Sequence, residues 1–242
     1  MATESNFFLR MQDHPYEPPR SPGVSGIDSK DKWVIGADEV GSGPLAGPVT
    51  VCAVLIREDL LPYVGVTDSK ALSPSKRQAL DKVLRESAEV RFALASVPAT
   101  EIDRVGIKEA LRQCYDKAIK ELLALQPDNV RVTIDGEPIK GLVLPVPTEY
   151  VIKGDAKIWY VGAASIIAKV HRDAYMADEA LSYPHYGWEQ NAGYGTKGHT
   201  SAIQVYGLTP LHRTTYCRAF TKPVKVDERH DLAEDLITDL FG

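Results

Sequence analysis

Residues 34–56 read VIGADEVGSGPLAGPVTVCAVLI, two apolar runs on either side of a loop rich in Gly and Pro. This pattern predicts one strand over residues 32–38, a second over residues 49–56 and an antiparallel pair across the loop. Asp38 and Glu39 fall where the first run ends. Because neighbouring residues on a strand point to opposite faces, both carboxylates can reach one site only at a strand end or a bulge.

Two adjacent acids at this position indicate a cation site. Burying two carboxylates side by side is costly unless a cation neutralises them, and a hard ion such as Mg²⁺ prefers oxygen ligands. The alternative is an ordinary acidic turn at the surface. The loop also matches a dinucleotide fingerprint, G-x-G-x-x-A, at Gly41, Gly43 and Ala46. That interpretation is rejected because a strand-type run follows where a helix would have to begin.

The composition is that of an ordinary globular protein, with 44% hydrophobic and 25% charged residues among 242. This length suffices for one α/β domain with appendages. The net charge of −5 does not exclude nucleic-acid binding, which depends on the local distribution of charge. No apolar run is long enough to span a membrane, and the start is not typical of a secretory signal. Cys52, Cys114 and Cys217 are few and far apart, which favours reduced thiols in the cytoplasm.

The chain divides into three segments by composition. Residues 1–30 lack periodicity and are rich in Pro and Gly near their end, which predicts a flexible tail. Residues 31–222 are predicted to form one folded domain, and residues 223–242 an acidic C-terminal tail. Hydrophobic periodicity predicts the regular elements of the domain. Besides the first two strands, these are a helix capped by Ser73, a strand over 92–97, a helix over 107–125, a strand over 130–135, a short strand near 150, a helix over 161–180 and a helix capped by Thr196 that ends before Gly207. The helix over 107–125 is interpreted as structural, with no chemistry assigned to it.

Two further acids stand out along the chain. Asp135 ends the strand over 130–135 and precedes Gly136, an arrangement by which α/β folds present catalytic groups at a sheet edge. A plain Asp-Gly turn is the alternative. Asp155 lies between Lys153 and Lys157, which suits a site that handles both metal and phosphate or, alternatively, a surface salt-bridge cluster.

Basic and aromatic residues follow the acids. Lys70, Lys76 and Arg77 form a small basic patch at a helix start. A polar stripe runs along the helix over 161–180, where it either faces solvent or borders the site; its members are Ser165, Lys169, Arg172 and Asp173. Residues 183–199 contain four aromatics without helical or strand periodicity, which predicts a loop whose rings stack on sugars and bases.

Taken together, seven segments resemble ribonuclease HII, the bacterial type 2 ribonuclease H. They occur in the family's order over roughly residues 33–217. The segments are GADEVGSGPLAGPV, TDSKALS, IDG, VIKGDAK, GAASIIAKVHRD, GYGTKGH and GLTPLHR.

The resemblance implies an α/β, ribonuclease H-like fold with a central mixed sheet flanked by helices and a helical C-terminal part. It implies a metal-dependent endonuclease that hydrolyses the RNA strand of RNA–DNA hybrids. Such an enzyme also cuts 5′ of ribonucleotides embedded in duplex DNA, leaving 3′-hydroxyl and 5′-phosphate ends. By motif matching, four carboxylates would hold Mg²⁺ or Mn²⁺, namely Asp38, Glu39, Asp135 and Asp155, with Asp173 as a nearby helper. The implied substrate-binding residues are Gly41, Ser42, Gly43, Lys70, Lys153, Lys169 and Tyr194.

One position departs from the family's pattern. Gly41-Ser42-Gly43 stands where the family usually has Gly-Arg-Gly, and a serine offers a phosphate neither the charge nor the fork of a guanidinium. Weaker substrate binding and a blurred preference for single ribonucleotides are expected. The alternatives are a nuclease of altered specificity, one that acts on another structured nucleic acid, and a hybrid-binding protein without turnover.

The expected partners are RNA–DNA hybrids and ribonucleotide-containing DNA duplexes, for a monomer in the cytoplasm with no membrane association. The C-terminal residues Asp239, Leu240 and Phe241 resemble the end of bacterial sliding-clamp-binding peptides, although the usual leading Gln is absent. Clamp binding through this tail and a frayed amphipathic end are the two alternatives.

Overall fold

The computed structural model describes residues 32–221, in which a five-stranded mixed sheet forms the centre. The strands are β1 (Trp33–Val40), β2 (Val49–Arg57), β3 (Arg91–Val97), β4 (Val130–Asp135) and β5 (Thr148–Val151). Their order across the sheet is β3-β2-β1-β4-β5. The pairs β1–β2 and β2–β3 are antiparallel, whereas β1–β4 and β4–β5 are parallel. The α/β class, the mixed sheet and the antiparallel pair across the glycine-rich loop are therefore confirmed. The tails predicted over 1–30 and 223–242 lie outside the described residues.

Helices cover both faces of the sheet and continue beyond it. They are α1 (Pro74–Glu86), α2 (Ala99–Val105), α3 (Ile107–Leu123), α4 (Gly154–Lys157), α5 (Trp159–Ser182), α6 (Trp188–Asn191), α7 (Lys197–Tyr206) and α8 (Thr214–Cys217). Helix α1 begins after Ser73, whose side chain accepts a hydrogen bond from the Lys76 amide, and α7 begins after Thr196, which accepts one from the His199 amide. Both predicted caps are thus confirmed.

Two hydrophobic cores sandwich the sheet, and the strand pleat assigns residues of β1 to them alternately. Ile35 and Ala37 lie in the core that α3 covers. Val34 and Val40 lie in the core that α5 covers. A Cβ atom on Gly36 would lie 2.6 Å from the Tyr160 carbonyl oxygen, so the bare glycine lets α5 pack directly on β1.

A third, smaller core builds the helical C-terminal part. It joins Leu45 and Ala46 of the glycine-rich loop to buried residues of α5, α6, α7 and α8, including Met176 and Trp188. The loop is therefore anchored by its apolar residues between the sheet and the C-terminal helices. A helical C-terminal part is confirmed, and its core includes residues from near the start of the domain.

Several predicted boundaries differ from the observed ones. Strand β1 continues through Asp38 and Glu39 to Val40, because the ladder with β2 extends to Val40↔Thr50. The short strand predicted near Tyr150 ends at Val151, and Asp155 lies on α4. Helix α2 was not predicted.

Among residues 32–221, no helix is long and apolar enough to cross a lipid bilayer. The three cysteines, all of which lie in this range, are free and buried, as predicted for packed thiols.

Candidate active site

Strand β4 stops before β1 does, and this difference opens a notch in the sheet. The β1–β4 pairing ends at Ala37↔Ile134, whereas the β1–β2 pairing continues through Asp38↔Cys52 and Glu39↔Val51. Asp38 and Glu39 therefore lie past the last residue pair that joins β1 to β4. Asp135 is the last residue of β4. We call this position, with Asp38, Glu39 and Asp135 around it, the β1–β4 notch.

The two adjacent acids approach the notch from opposite faces of the sheet. Both acids lie within β1 in regular register. The prediction that they lie at a strand end or a bulge is therefore wrong. Asp38 faces α5, where the nearby Ser165 hydroxyl acts to lower its pKa. Glu39 faces α3, where the Tyr115 hydroxyl donates to its Oε2 atom. The early end of β4 removes the barrier that a paired strand would place between the two carboxylates.

Electrostatic interactions tie four acids into one group. Burial raises the pKa of Asp38 well above its usual value, and Glu39 and Asp135 raise it further. Burial and the charge of Asp135 raise the pKa of Glu39, against the opposing effects of Tyr115 and Lys70. Burial, followed by the charge of Asp135, also raises the pKa of Asp155. Asp135 is thus the acid that interacts with all three others.

The donor chemistry of this group fits a hard divalent cation, since all four side chains present carboxylate oxygens and their mutual repulsion is what such an ion relieves. Each carboxylate is hydrogen-bonded to a neighbour. Asp38 accepts from the Glu39 amide at 2.7 Å, Asp135 from the Gly154 amide at 2.6 Å and Asp155 from the Ala156 amide at 2.9 Å. Within the described range, no three or more His, Cys, Asp or Glu side chains are arranged as a ready metal-binding cluster.

Two of the predicted lysines flank this group differently. Lys70 is exposed, and its charge lowers the pKa of both Glu39 and Asp155, so it lies beside the acids. Lys153 is exposed and has left-handed backbone (φ 57°) directly before α4. Lys157 turns away, since its Nζ atom donates to the Ile152 carbonyl at 2.7 Å.

Asp173 belongs to a second polar cluster, with Lys169, Arg77 and Tyr194. Lys169 Nζ lies 2.8 Å from Asp173 Oδ1, and Arg77 Nη1 lies 3.7 Å from Asp173 Oδ2. The Lys169 ammonium also lies 5.9 Å from the centre of the Tyr194 ring, which is 40% exposed. Ser165 and Ser69 connect the two clusters, because their hydroxyls are hydrogen-bonded at 2.9 Å and Arg77 Nε donates to the Ser69 carbonyl at 2.8 Å.

Two fully buried arginines hold the glycine-rich loop by its carbonyl oxygens. Arg172 donates to Ala46, Pro48 and Ala192, and Arg213 donates to Gly41, Ser42 and Gly47. Arg172 thereby joins this loop to the segment that precedes Tyr194.

Glycine is required at position 41 by this arrangement. Gly41 has a positive φ of 84°, and a Cβ atom there would lie 2.2 Å from Arg172 Nε. Gly43 is exposed with open space around it, as is suited to the close approach of a ligand.

A family model described as Ribonuclease HII matches residues 35–219. The chain belongs to the ribonuclease HII family. It is therefore a ribonuclease H, an endonuclease that hydrolyses phosphodiester bonds. The Ribonuclease HII of Shouchella clausii is 43% identical over 187 residues, which are 76% of this chain and 68% of the relative.

Solved structures of the same class share the fold. The ribonuclease H2 of Pyrococcus horikoshii is 27% identical with a TM-score of 0.63, over 84% of this chain and 99% of that chain. The ribonuclease HII of Archaeoglobus fulgidus, solved in a complex with PCNA, is 27% identical with a TM-score of 0.62. That match covers 81% of this chain and 98% of the other.

Two of the four aromatic side chains in residues 183–199 are buried in this ribonuclease HII relative, which corrects the prediction of a loop whose rings all stack on sugars and bases. Trp188 is fully buried and Tyr186 is 4% exposed, because both belong to the third core. Trp188 Nε1 donates to His199 Nε2 at 3.1 Å, and His199 Nδ1 donates to the Tyr194 carbonyl oxygen at 2.8 Å. The Tyr194 ring is exposed, whereas the His199 side chain holds the Tyr194 backbone carbonyl.

Two parts of the site escaped prediction in this ribonuclease HII sequence. The helix that was assigned no chemistry supplies Tyr115 to Glu39, a contact between residues 76 positions apart. Tyr115 lies three residues before Ala118 on the apolar face of α3, so its burial could have been read from the sequence but its partner could not. The predicted polar stripe is also partly internal, since Ser165 and Arg172 are buried.

Proposed function

We propose that this ribonuclease HII relative hydrolyses the RNA strand of RNA–DNA hybrids and cuts 5′ of ribonucleotides embedded in duplex DNA. The products would carry 3′-hydroxyl and 5′-phosphate ends, as required for ribonucleotide removal in DNA replication and repair. The observation that carries this proposal is the convergence of the acids at the β1–β4 notch. Asp38 and Glu39 lie past the last β1–β4 pair, Asp135 ends β4, and the amide of Gly154, the residue before Asp155, donates to Asp135 at 2.6 Å.

We propose these four acids as the ligands of Mg²⁺ or Mn²⁺, with Asp173 as a helper at the margin. Their oxygen-only donor set, in which Asp38 is buried and the other three acids are partly buried, is mutually repelling and supports a divalent cation. When bound, such ions stabilise the charge that develops on a phosphoryl group and lower the pKa of water. The chain itself fixes three of the acids: the Glu39 amide holds Asp38, Tyr115 holds Glu39, and the Gly154 amide holds Asp135.

Substrate binding is proposed for the surface around the notch. Lys70, Lys153 and Lys169 would contact phosphates and make binding sensitive to salt. The exposed Tyr194 ring would stack on a sugar next to the ribonucleotide, with Lys169 beside it. The backbone of the 41–43 segment would read the ribose 2′-hydroxyl, the group that distinguishes RNA from DNA. Gly43 and Ser42 are the exposed members of that segment, which supports this role.

The test compares three duplexes: all-DNA, DNA with one embedded ribonucleotide, and a long RNA–DNA hybrid. Each is incubated with Mg²⁺, Mn²⁺ or a chelator. Metal-dependent cutting of the two ribonucleotide-containing duplexes, with 3′-hydroxyl products, is expected. Cutting of the all-DNA duplex would contradict the proposal in favour of a different structured substrate. Saturable hybrid binding without cutting would favour a binding protein, the alternative that the uncharged Ser42 leaves open.

The buried free cysteines support a reducing compartment, and we propose a cytoplasmic monomer. The Archaeoglobus relative solved with PCNA supports a sliding clamp as a partner. The C-terminal segment that would contact the clamp lies outside the described residues. Deleting residues 237–242 should weaken clamp binding, as measured by gel filtration or calorimetry with the bacterial clamp. If clamp binding is unaltered by the deletion, the C-terminal tail does not bind the clamp.

A further inference from the structure

We infer that Tyr115 is a positioning residue that holds the Glu39 carboxylate at the β1–β4 notch. Its hydroxyl donates a hydrogen bond to Glu39 Oε2 at 2.5 Å. The inference rests on the proposed role of Glu39 and adds to it a residue on a helix that carries none of the four acids. Tyr115 is 1% exposed and does not border solvent, so it acts through Glu39 and not on the nucleic acid.

The surroundings of Tyr115 leave its hydroxyl few alternatives. The ring belongs to the hydrophobic core between α3 and the sheet. A buried phenol hydroxyl without a partner costs free energy, so the protein gains from directing it at an acceptor. The acceptor is supplied by the one acid of the β1 pair that faces α3. A phenylalanine would fill the same core position equally well, so the hydroxyl is explained by Glu39 and not by packing.

The Glu39 side chain is one that such a partner can orient. It has one more rotatable bond than an aspartate and reaches the notch from the face opposite to Asp38. The charge of Asp135 also opposes its ionised form. A carboxylate has two oxygens and accepts several hydrogen bonds or ligand bonds. With Oε2 held by Tyr115, Oε1 stays available for a cation while the side chain keeps one orientation.

This geometry predicts that loss of the Tyr115 hydroxyl weakens metal binding but does not change substrate binding. Removing a hydrogen-bond partner of a metal ligand typically lowers metal affinity about 10–100-fold. Because Tyr115 is buried, the same change should leave the binding of a hybrid in the presence of a chelator unaltered. A residue that merely supports the fold would affect both measurements together or neither.

The experiment uses the full chain with Tyr115→Phe and, as a matched control, Tyr186→Phe. Tyr186 is also buried, at 4% exposure, and its hydroxyl donates to the Gly207 carbonyl at 2.9 Å, in the third core. Mn²⁺ affinity is measured by isothermal titration calorimetry, hybrid affinity by fluorescence anisotropy with chelator, and stability by urea unfolding. We expect roughly 10-fold weaker Mn²⁺ binding for Tyr115→Phe. The Mn²⁺ affinity of the control variant should be unchanged. Hybrid affinity should be unchanged in both variants.

Glu39→Gln separates this inference from the proposed function. If Glu39→Gln weakens Mn²⁺ binding but Tyr115→Phe behaves like Tyr186→Phe, the inference is overturned and the proposed function stands. If Glu39→Gln itself leaves Mn²⁺ binding and cleavage intact, the role of Glu39 fails and the inference fails with it. In the double variant, Tyr115→Phe should add no further loss of Mn²⁺ affinity. A full additional loss would show that Tyr115 acts independently of Glu39 and would also overturn the inference.

Discussion

Arg213 Nη1 donates a hydrogen bond to the carbonyl oxygen of Ser42 at 3.0 Å, although Ser42 itself is exposed. The path of the glycine-rich loop is therefore set from its buried side, through backbone carbonyls. The side chain at position 42 is left to face solvent. A substitution there should change what the loop presents to a ligand without changing where the loop lies.

Ser42→Arg is accordingly expected to strengthen binding of a ribonucleotide-containing duplex several-fold. The new guanidinium adds charge and a bidentate fork toward phosphate. One additional phosphate contact should steepen the dependence of log affinity on log salt by about 0.7–0.9. Fluorescence anisotropy over a salt series, with Asp38→Asn present to prevent cleavage, measures both quantities. Ser42→Gln adds length without charge and should leave the salt slope as it is. An unchanged affinity for Ser42→Arg would show that the loop does not approach the substrate.

Asp38→Asn is expected to reduce metal-dependent cleavage by more than about 100-fold while the protein stays folded. Asp38 is 5% exposed and its ionised form is disfavoured by burial and by Glu39, so a neutral amide of the same shape is not expected to destabilise the metal-free fold. Initial cleavage rates with Mg²⁺ and urea unfolding without metal measure the two effects. Retained cleavage would remove Asp38 from the proposed ligand set. Loss of folding would mean that the rate says nothing about its role.

The sequence predicted where the acids enter the fold because local patterns determine strands. VRVTIDG places Asp135 at the end of β4, and the two apolar runs around the glycine-rich loop predict β1 and β2. The notch was not predictable, since it depends on β4 ending before β1 in a parallel pairing between segments far apart in the chain. For that reason the adjacent acids were wrongly expected at a strand end.

Hydrogen bonds between residues far apart in the chain could not be predicted from local sequence patterns either. Arg213 contacts the carbonyl of Ser42 across 171 positions, and Ser165 contacts Ser69 across 96. In both cases a polar side chain is buried because backbone or hydroxyl groups from elsewhere satisfy it. The sequence pattern of a polar stripe or an aromatic-rich segment is the same whether its side chains are exposed to solvent or buried in a core. Trp188 illustrates the second outcome and Tyr194 the first.

Arg213→Met should destabilise the protein by about 3 kcal/mol, because it leaves the buried carbonyls of Gly41 and Gly47 without this donor. The loop should also lose its fixed path, so the KM for a ribonucleotide-containing duplex should rise. Urea unfolding and steady-state cleavage measure the two effects. Arg104→Met, which removes an exposed ion pair with Glu101, serves as the control and should change neither. If both variants have equal stability and equal KM, the arginine does not hold the loop.

The paired histidines of the third core predict how stability depends on pH. The Thr209 amide donates to His212 Nδ1 at 2.9 Å, so that nitrogen carries no proton and Nε2 does. His212 Nε2 lies 3.1 Å from His199 Nε2, which also accepts from Trp188. Both rings are therefore neutral. Burial, followed by the neighbouring His199, lowers the pKa of His212 to about 3, and burial lowers the pKa of His199.

Because the folded pKa of His212 lies below its ordinary value of about 6.5, the unfolded chain takes up a proton between these values that the folded protein refuses. Stability from this group is thus complete above pH 6.5 and is lost as the pH falls toward 3. For His212 alone the loss between pH 7 and pH 5 is about 2 kcal/mol. His212→Asn, whose amide oxygen can accept from Thr209, should be less stable at pH 7 but should lose less between pH 7 and pH 5. Urea unfolding at both pH values measures this, with His185→Asn, at an exposed ring outside the pair, as the control. If His212→Asn and the wild type lose equal stability between pH 7 and pH 5, the buried histidine pair does not determine the loss of stability at low pH.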